Sequence, residues 1–301
     1  MKNVIINKKL LLAIIFFFSI LTHQAQHKAK HKLNRSGVVY ISIKQYKRIY
    51  NKVLTKSDSL NFKFRNNDTL VKVQNYKVPK GISVPYEYKD SSFLSLYKKV
   101  AFNHKNDSID KKTTMKYWKK PIKIYFSKSI NKKTKKEFLK FTQQISEKVD
   151  SLNISVVKKV EESNYIIYYN NDFEYESRME NYKYTDYYLH WNKKNQLYRC
   201  SLKINIDNNF NEKQRLYKLK DFFLRSLGRF KFTNDFNCES FFSDCYSDQK
   251  KLSAFDFELL KYHYSYGICK GTTLEIFENQ HNNSKKTYKK TGHRIRFIHT
   301  D

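Results

Sequence analysis

Glycine and proline are scarce in this sequence, with six glycines and three prolines among 301 residues. A loop that cradles phosphate needs closely spaced glycines, because backbone N–H groups must approach the ligand without intervening side chains. The sequence has no such loop, and it has no Gly-x-Ser-x-Gly motif for a nucleophilic serine. These absences exclude the nucleotide-binding loops and the serine hydrolases that depend on those motifs.

Acidic residues are also few, with 28 Asp and Glu against 59 Lys and Arg, which gives a formal net charge of +31. Such an excess attracts nucleic acid, anionic polysaccharide or a lipid surface. The lysines, however, are spread along the whole chain, with no dense basic block and no recognisable nucleic-acid module. We therefore do not predict nucleic-acid binding, and binding of other anionic polymers stays open as an alternative function.

Only one long apolar run is present, the twelve residues Leu10 to Leu21, and Lys2, Lys8 and Lys9 precede it. A membrane-spanning helix needs about 20 apolar residues, so the run fits an export signal better than a permanent anchor. We predict a signal peptide over 1–25, with Ala25 as the cleavage residue, and a secreted, periplasmic or surface-associated protein with no transmembrane segment after removal. An uncleaved anchor is the alternative.

Cysteine is limited to four residues, Cys200, Cys238, Cys245 and Cys269, all in the last third of the chain. An even number in an exported chain favours disulfides, and the spacing lacks the paired CxxC pattern of a zinc site. Three connectivities are possible. We favour Cys238–Cys245, which closes a short loop and leaves Cys200 to pair with Cys269; free buried thiols are the alternative.

The polarity of the chain divides it into segments. Residues 26–36 are polar and basic and are predicted to form a disordered linker. Residues 37–117 are predicted to form a β-rich N-terminal extension, with strands near 38–43 and 68–73. The main domain is predicted over 118–280, and 281–301 is a basic tail without apolar periodicity, predicted to be loosely ordered with a short edge strand near 295–298.

Within the main domain, alternating apolar residues predict strands at 122–126 and 198–206, and short apolar runs predict two more at 154–157 and 165–169. Apolar spacings of three and four predict helices over 131–152 and towards Gly228, which is placed to end its helix in left-handed geometry. Ser253 and Asp256 indicate the start of a further helix. An aromatic and charged stretch at 173–195 is predicted to form a loop. The fold class is α+β.

This order of elements resembles the zincin metallopeptidase fold, of the metzincin-like type found in exported bacterial proteins of unknown function. The resemblance covers 118–267. Its motifs are the Leu227-Gly228 pair that ends a helix, and Ser253-Ala254-Phe255-Asp256 followed by Leu259-Leu260 and Tyr262. It implies a mixed twisted sheet with a backing helix, a site helix and a closing C-terminal helix.

The resemblance also identifies the positions where the family's chemistry would lie. In the family pattern, two histidines four residues apart bind zinc and a glutamate between them polarises water. Counted back from Leu227-Gly228, these positions hold Asp221, Arg225 and Phe222, and the third-ligand position holds Lys231. We predict a scaffold without the family's chemistry, with no catalytic residue, no metal and no cofactor.

Other candidate residues support a hydrolase less well. His190 and Asp186 have i, i+4 spacing, and His263 lies among aromatic residues, where a packed histidine is more common than a base. The tyrosine-rich run 182–188 would suit a surface for a protein or glycan partner as well as it would suit packing. We therefore predict an exported, non-catalytic binding protein of unknown partner; the alternative is a metallopeptidase-like hydrolase with an atypical site built from Asp221 with His190 or His263.

Overall fold

The computed structural model describes residues 38–65, 68–74, 76, 81–103, 110–180 and 183–299. The predicted signal peptide at 1–25 and the predicted linker at 26–36 lie outside this part of the chain. The chain divides into two compact units, Met1–Lys80 and Gly81–Asp301. Residues 81–117, which the sequence assigned to the N-terminal extension, therefore belong to the second unit.

The first unit contains a three-stranded antiparallel sheet in the order β1-β3-β2. Its elements are β1 Val39–Ser42, α1 Ile43–Tyr50, α2 Lys56–Ser59, β2 Lys63–Arg65 and β3 Asp68–Val73. The two strands predicted in this region are present, although Ile43 begins α1 instead of ending β1. Ser42 accepts a hydrogen bond from the backbone N–H of Gln45, which caps α1 at that point.

The second unit contains a mixed sheet of six strands. They are β5 Tyr117–Trp118, β6 Ile122–Phe126, β7 Ile154–Val156, β8 Tyr165–Tyr169, β9 Asp186–Trp191 and β10 Gln196–Ile204. The order across the sheet is β7-β6-β8-β10-β9; β9 is antiparallel, and β5 pairs in parallel with the start of β10. The prediction that 122–126, 165–169 and 198–206 contribute strands to one mixed sheet is confirmed.

Among the described residues, the second unit has five α-helices, and each begins at a side chain that accepts a backbone N–H. They are α3 Ser91–Ala101, α4 Lys132–Lys148, α5 Glu212–Gly228, α6 Ala254–Tyr264 and α7 Leu274–Thr291. The capping residues, in the same order, are Asp90, Asn131, Asn211, Ser253 and Thr273. At α6 the cap is reciprocal, because Asp256 also accepts from the backbone of Ser253, and the predicted helix start there is confirmed.

Helices α4 and α5 pack on the same face of the sheet and against each other. Phe138 of α4 has its ring centroid 5.9 Å from that of Phe126 on β6 and 5.2 Å from that of Phe223 on α5. The ring of Phe223 in turn lies 5.4 Å from Tyr165 on β8. All three phenylalanines and Tyr165 are buried, and each such side chain contributes roughly 1.5–3 kcal/mol to folding.

Two predictions about irregular segments were wrong. The presumed loop 173–195 contains β9, whose residues pair antiparallel with β10 from Asp186 to Trp191. The tail that was predicted to be loosely ordered from residue 281 instead continues α7 to Thr291. The short edge strand predicted near 295–298 is present as β11, Arg296–His299, which pairs with β4, Ile82–Pro85. Helix α7 buries only Leu274, Phe277 and Ser284, so most of its length is solvated and shows no apolar periodicity.

None of the helices within the described residues combines the length and the apolar character that crossing a membrane requires.

Candidate functional site

Helix α5 is the element that the sequence identified as the site helix. Its inner face is apolar: Phe223 and Leu227 are fully buried, and so are Leu219 and Leu224. Asn211 caps its first turn, and Glu212 follows at the positive end of the helix dipole. The buried apolar face therefore holds the helix against the sheet, and the remaining face can present the candidate site residues.

The end of α5 differs from the prediction. Gly228 lies in the last helical turn, and the left-handed residue is Arg229, with φ +54°. A Cβ added at Gly228 would lie 2.2 Å from Cε1 of Phe230, closer than any real contact. Glycine is needed here because the Phe230 ring packs directly on the helix backbone, not because the turn requires a positive φ.

Side chains from other elements satisfy the last carbonyl groups of α5. The indole N–H of Trp118 on β5 donates to the Ser226 carbonyl at 3.1 Å, and the Tyr264 hydroxyl on α6 donates to the Leu227 carbonyl. Ser226 also accepts, through its hydroxyl, from the Tyr165 hydroxyl at 2.8 Å. These buried hydrogen bonds hold the end of the site helix to the sheet and to α6, since a buried carbonyl without a partner is costly.

The two predicted ligand positions on α5 form an ion pair with each other. Arg225 Nε lies 3.0 Å from Asp221 Oδ2, and the second arm of the guanidinium lies 3.3 Å from Asp244. The guanidinium carbon is 4.0 Å from the centroid of the Phe232 ring. Asp221 is nearly buried, with 7 % of its side chain exposed. The structure thus brings both positions together, and their charges neutralise each other.

Phe222 and Lys231 occupy the other two positions that the resemblance identifies. Phe222, at the glutamate position, is half-buried; its ring lies 5.8 Å from that of Tyr187 on β9, and the guanidinium carbon of Arg225 lies 5.9 Å from its centroid. Lys231 is exposed, and its backbone N–H donates to the Val100 carbonyl at 3.0 Å. Across the described ranges, no group of three or more His, Cys, Asp or Glu side chains is close enough to hold a metal ion.

Two tyrosines beside the ion pair remain protonated at neutral pH. Burial raises the pKa of Tyr217 to about 12, and nearby Asp221 adds to the shift. Burial also raises the pKa of Tyr187 to about 12, against a smaller opposite effect of Arg225. A phenol with so high a pKa donates hydrogen bonds but does not act as a base or a nucleophile near neutrality.

His263 is a packed histidine. It is fully buried, its Nε2–H donates to the Lys116 carbonyl at 2.8 Å, and its Nδ1 accepts from the Tyr97 hydroxyl at 3.1 Å. Burial lowers its pKa to about 3, so the ring is neutral at physiological pH. Both nitrogens are occupied, which leaves neither free to accept a proton from a substrate.

His190 and Asp186 do not form the pair that helical spacing suggested, because both lie on strand β9. His190 Nε2 instead donates to the Glu176 carboxylate at 2.7 Å. Asp186 accepts from the backbone N–H of Tyr187, and burial raises its pKa. Glu176 was missed because it follows no spacing pattern relative to His190; only the pairing of β9 brings the two together.

The cysteines agree with half of the prediction. Cys238 and Cys245 form a disulfide, with Cα atoms 5.4 Å apart, as predicted. Cys200 and Cys269 are not paired, so the second predicted bridge was wrong. Cys200 lies in the middle of β10, beside Tyr165 in the strand register, and burial raises its thiol pKa to about 12. Its side chain belongs to the packed core and is not a reactive nucleophile.

No protein-family model matches this sequence, and no curated protein is significantly similar to it.

Proposed function

We propose that this protein is an exported, non-catalytic binding protein on a zincin-like scaffold, with a protein or glycan as its partner. The observation that carries the proposal is the Asp221–Arg225 ion pair on α5. It occupies the two positions at which the zincin resemblance would place histidine ligands.

The ion pair is incompatible with a divalent cation at that point. A guanidinium stays protonated at any physiological pH, so it repels the ion and cannot ligate it. The Asp221 carboxylate is nearly buried and already engaged by Arg225. Phe222, at the position of the general base, has no group that could polarise a water molecule.

The arrangement of the second unit supports the scaffold part of the proposal. Helices α4 and α5 lie on one face of a mixed sheet, and α6 opens with the reciprocal Ser253–Asp256 cap. These are the elements, in the same chain order, that the resemblance implies. The proposal of a binding function rests on two features of α5. The helix has no histidines where the resemblance would place metal ligands, and its inner face is nevertheless fully packed.

A measurement of metal content tests the proposal that the protein binds no zinc and is not a metal-dependent hydrolase. The purified full chain is equilibrated with zinc and then passed through a desalting column. Elemental mass spectrometry should then find no stoichiometric zinc in the protein. Zinc at stoichiometric occupancy, released by a chelator together with a hydrolytic activity, would contradict the proposal and favour the hydrolase alternative.

A restored site tests the scaffold. The variant Asp221→His, Phe222→Glu, Arg225→His, Lys231→His should bind zinc stoichiometrically if these positions have the family's geometry. The matched control keeps Lys231 and should bind zinc more weakly, because it lacks the third ligand. A folded quadruple variant, judged by circular dichroism, that binds zinc no better than the control would contradict a zincin-like scaffold.

A second candidate function is binding of anionic polymers, and a lysine-lined groove on α4 favours it. Lys132, Lys135, Lys136 and Lys140 line this shallow groove together with Leu139 and Gln143, and Lys140 also forms a salt bridge with Glu137 at 2.8 Å. The first turn of α4 contains no acidic residue, although an acid there would complement the helix dipole. An anion in the groove would supply that missing charge.

Retention on heparin at increasing salt tests this candidate. Replacing the four groove lysines with glutamine should lower the salt concentration at which the protein elutes. The control replaces Lys285, Lys286, Lys289 and Lys290 on α7, which changes the net charge equally. Equal shifts in the two variants would show that only the net charge matters, and would exclude a specific groove.

A further inference from the structure

Two cationic side chains, Lys116 and Arg229, contact the exposed Trp191 at the end of β9. Lys116 Nζ lies 4.9 Å from the centroid of the Trp191 ring, and the guanidinium carbon of Arg229 lies 5.3 Å from it. Trp191 is 41 % exposed and Arg229 is exposed, whereas Lys116 is only 5 % exposed. We call these three residues the cationic cluster. It reaches the surface through Trp191 and Arg229.

The ammonium group of Lys116 is held in place by neutral oxygen atoms. It donates to Asn195 Oδ1 at 2.8 Å and to the hydroxyl of Thr114. Burial, with a smaller contribution from the charge of Arg229, lowers the pKa of Lys116 to about 8. In the part of the chain that the structure describes, neither Lys116 nor Arg229 forms a salt bridge with a carboxylate. A nearly buried cation without an acidic partner is unusual, because burial of an uncompensated charge is unfavourable.

The backbone at the cluster is also held in an unfavourable conformation. Arg229 has φ +54°, a left-handed conformation that favours glycine, yet a long charged side chain occupies the position. The cationic groups of Arg229 and Lys116 both lie within 5.3 Å of the Trp191 ring centroid, and no carboxylate of the described residues forms a salt bridge with either, so the two charges repel. Three unfavourable features at one exposed place indicate selection for a ligand and not for stability.

We propose that the cationic cluster of Lys116, Trp191 and Arg229 binds a phosphate group. Two positive charges without a carboxylate match a dianionic phosphate better than a singly charged carboxylate. Arginine and lysine are the cationic side chains that most often bind phosphate in proteins, through charge-assisted hydrogen bonds. The proposal does not depend on the proposed function, because it uses none of the degenerate positions on α5.

Calorimetric titration of the full chain tests the proposal with two probes, inorganic phosphate and glycerol phosphate, at constant ionic strength set with chloride. Saturable binding of at least one probe is expected. Lys116→Met removes one charge and should weaken the affinity about tenfold, the effect of losing one charge-assisted hydrogen bond. The matched control is Lys193→Met, which removes an exposed lysine in the neighbouring turn and should leave the affinity unchanged.

A second variant keeps the test informative if Lys116→Met does not fold. Arg229→Asn removes the other charge with a residue that tolerates left-handed geometry, and it should weaken the affinity by a similar factor. Equal affinities for the two probes would assign the site to free phosphate, and tighter binding of the ester would assign it to a phosphorylated partner. Absence of saturable binding, or an equal loss in Lys193→Met, would overturn the proposal.

Discussion

Arg225 contacts two carboxylates, those of Asp221 and Asp244, and the ring of Phe232. The interaction energy between Arg225 and Asp221 can be measured. Removing Asp221 would leave a guanidinium of which 22 % is exposed without its nearest counterion. A double-mutant cycle with Asp221→Ala and Arg225→Ala should give a coupling energy of about 1–2 kcal/mol in urea unfolding.

The exposed pair Lys213–Asp248 is the control for this cycle, with side chains 72 % and 52 % exposed. Its coupling should be much smaller than that of Asp221 and Arg225, because solvent screens the two charges. If the Asp221–Arg225 pair couples no more strongly than this control, it does not hold the site helix in place.

His263 makes the stability of the protein depend on pH. Its pKa is about 3 in the folded chain and 6.5 in the unfolded chain, so the unfolded chain binds the proton first as the pH falls. The contribution of His263 is complete above pH 6.5 and is lost progressively below it. The free energy of unfolding should fall by up to about 1.4 kcal/mol per pH unit between these two values.

Replacement by glutamine isolates the contribution of His263. The free energy of unfolding, measured in urea at several pH values between 4 and 7, should depend less steeply on pH for His263→Gln than for the natural protein, since glutamine does not titrate. Parallel slopes would mean that other groups control the acid sensitivity.

At the scale of single elements, the end of α5 provides a test in which two effects have opposite signs. Helix propensity alone predicts that Gly228→Ala stabilises the protein by about 1 kcal/mol. The Phe230 ring, however, occupies the place of the new methyl group. We expect net destabilisation of about 2 kcal/mol in chemical unfolding, from overpacking.

Gly292 serves as the control, because it ends α7 with φ +66° and no atom lies within 4 Å of an added Cβ. Gly292→Ala should cost only the left-handed strain, about 1 kcal/mol. Stabilisation by Gly228→Ala would show that Phe230 moves aside, and the explanation for this glycine would then be wrong.

Elements with strong periodicity could be predicted from the sequence. Strand β6, with three buried residues alternating with more exposed ones, and helix α4, with its phenylalanine stripe, lie where the pattern placed them. Strand β9 could not be predicted, because its outward positions carry Asp186 and Tyr188 next to equally aromatic inward positions. Its strand conformation is evident only from its hydrogen-bonded pairing with β10. Strand pairing is a tertiary contact that local sequence composition does not indicate.

The contact between Asp221 and Arg225 could be predicted from the sequence, but the other side chains around it could not. The Leu227-Gly228 pair fixed the count back to Asp221 and Arg225, and that spacing of four made their contact predictable. Asp244 and Phe232, which contact Arg225, come from the following loop, and Tyr187, which contacts Phe222, comes from β9. The cationic cluster joins residues from three distant segments, so no local motif indicates it.

At the scale of the whole molecule, the number of free thiols reports the oxidation state of the chain. Under denaturing, non-reducing conditions, thiol titration should find two reactive groups, Cys200 and Cys269, with Cys238 and Cys245 paired. Four would indicate a reduced protein, and none would indicate the additional pairing that the sequence favoured.

Removing the bridge by Cys238→Ser with Cys245→Ser should lower the free energy of unfolding by about 2–3 kcal/mol, because the eight-residue loop is no longer closed in the unfolded chain. Cys269→Ser is the control and closes no loop, so its effect should be much smaller. Similar losses in both would show that the bridge is not what stabilises this region.

The two tryptophans of the chain lie at opposite extremes of exposure. Trp118 is 2 % exposed and hydrogen-bonded to the end of α5, whereas Trp191 is 41 % exposed and has the cationic groups of Lys116 and Arg229 within 5.3 Å of its ring centroid. Their fluorescence should therefore separate into two populations. Iodide, drawn by the positive charges, should quench Trp191 far more than caesium does, and Trp118 should respond to neither until the chain unfolds. The native protein thus carries one optical reporter for its surface and another for the packing of α5.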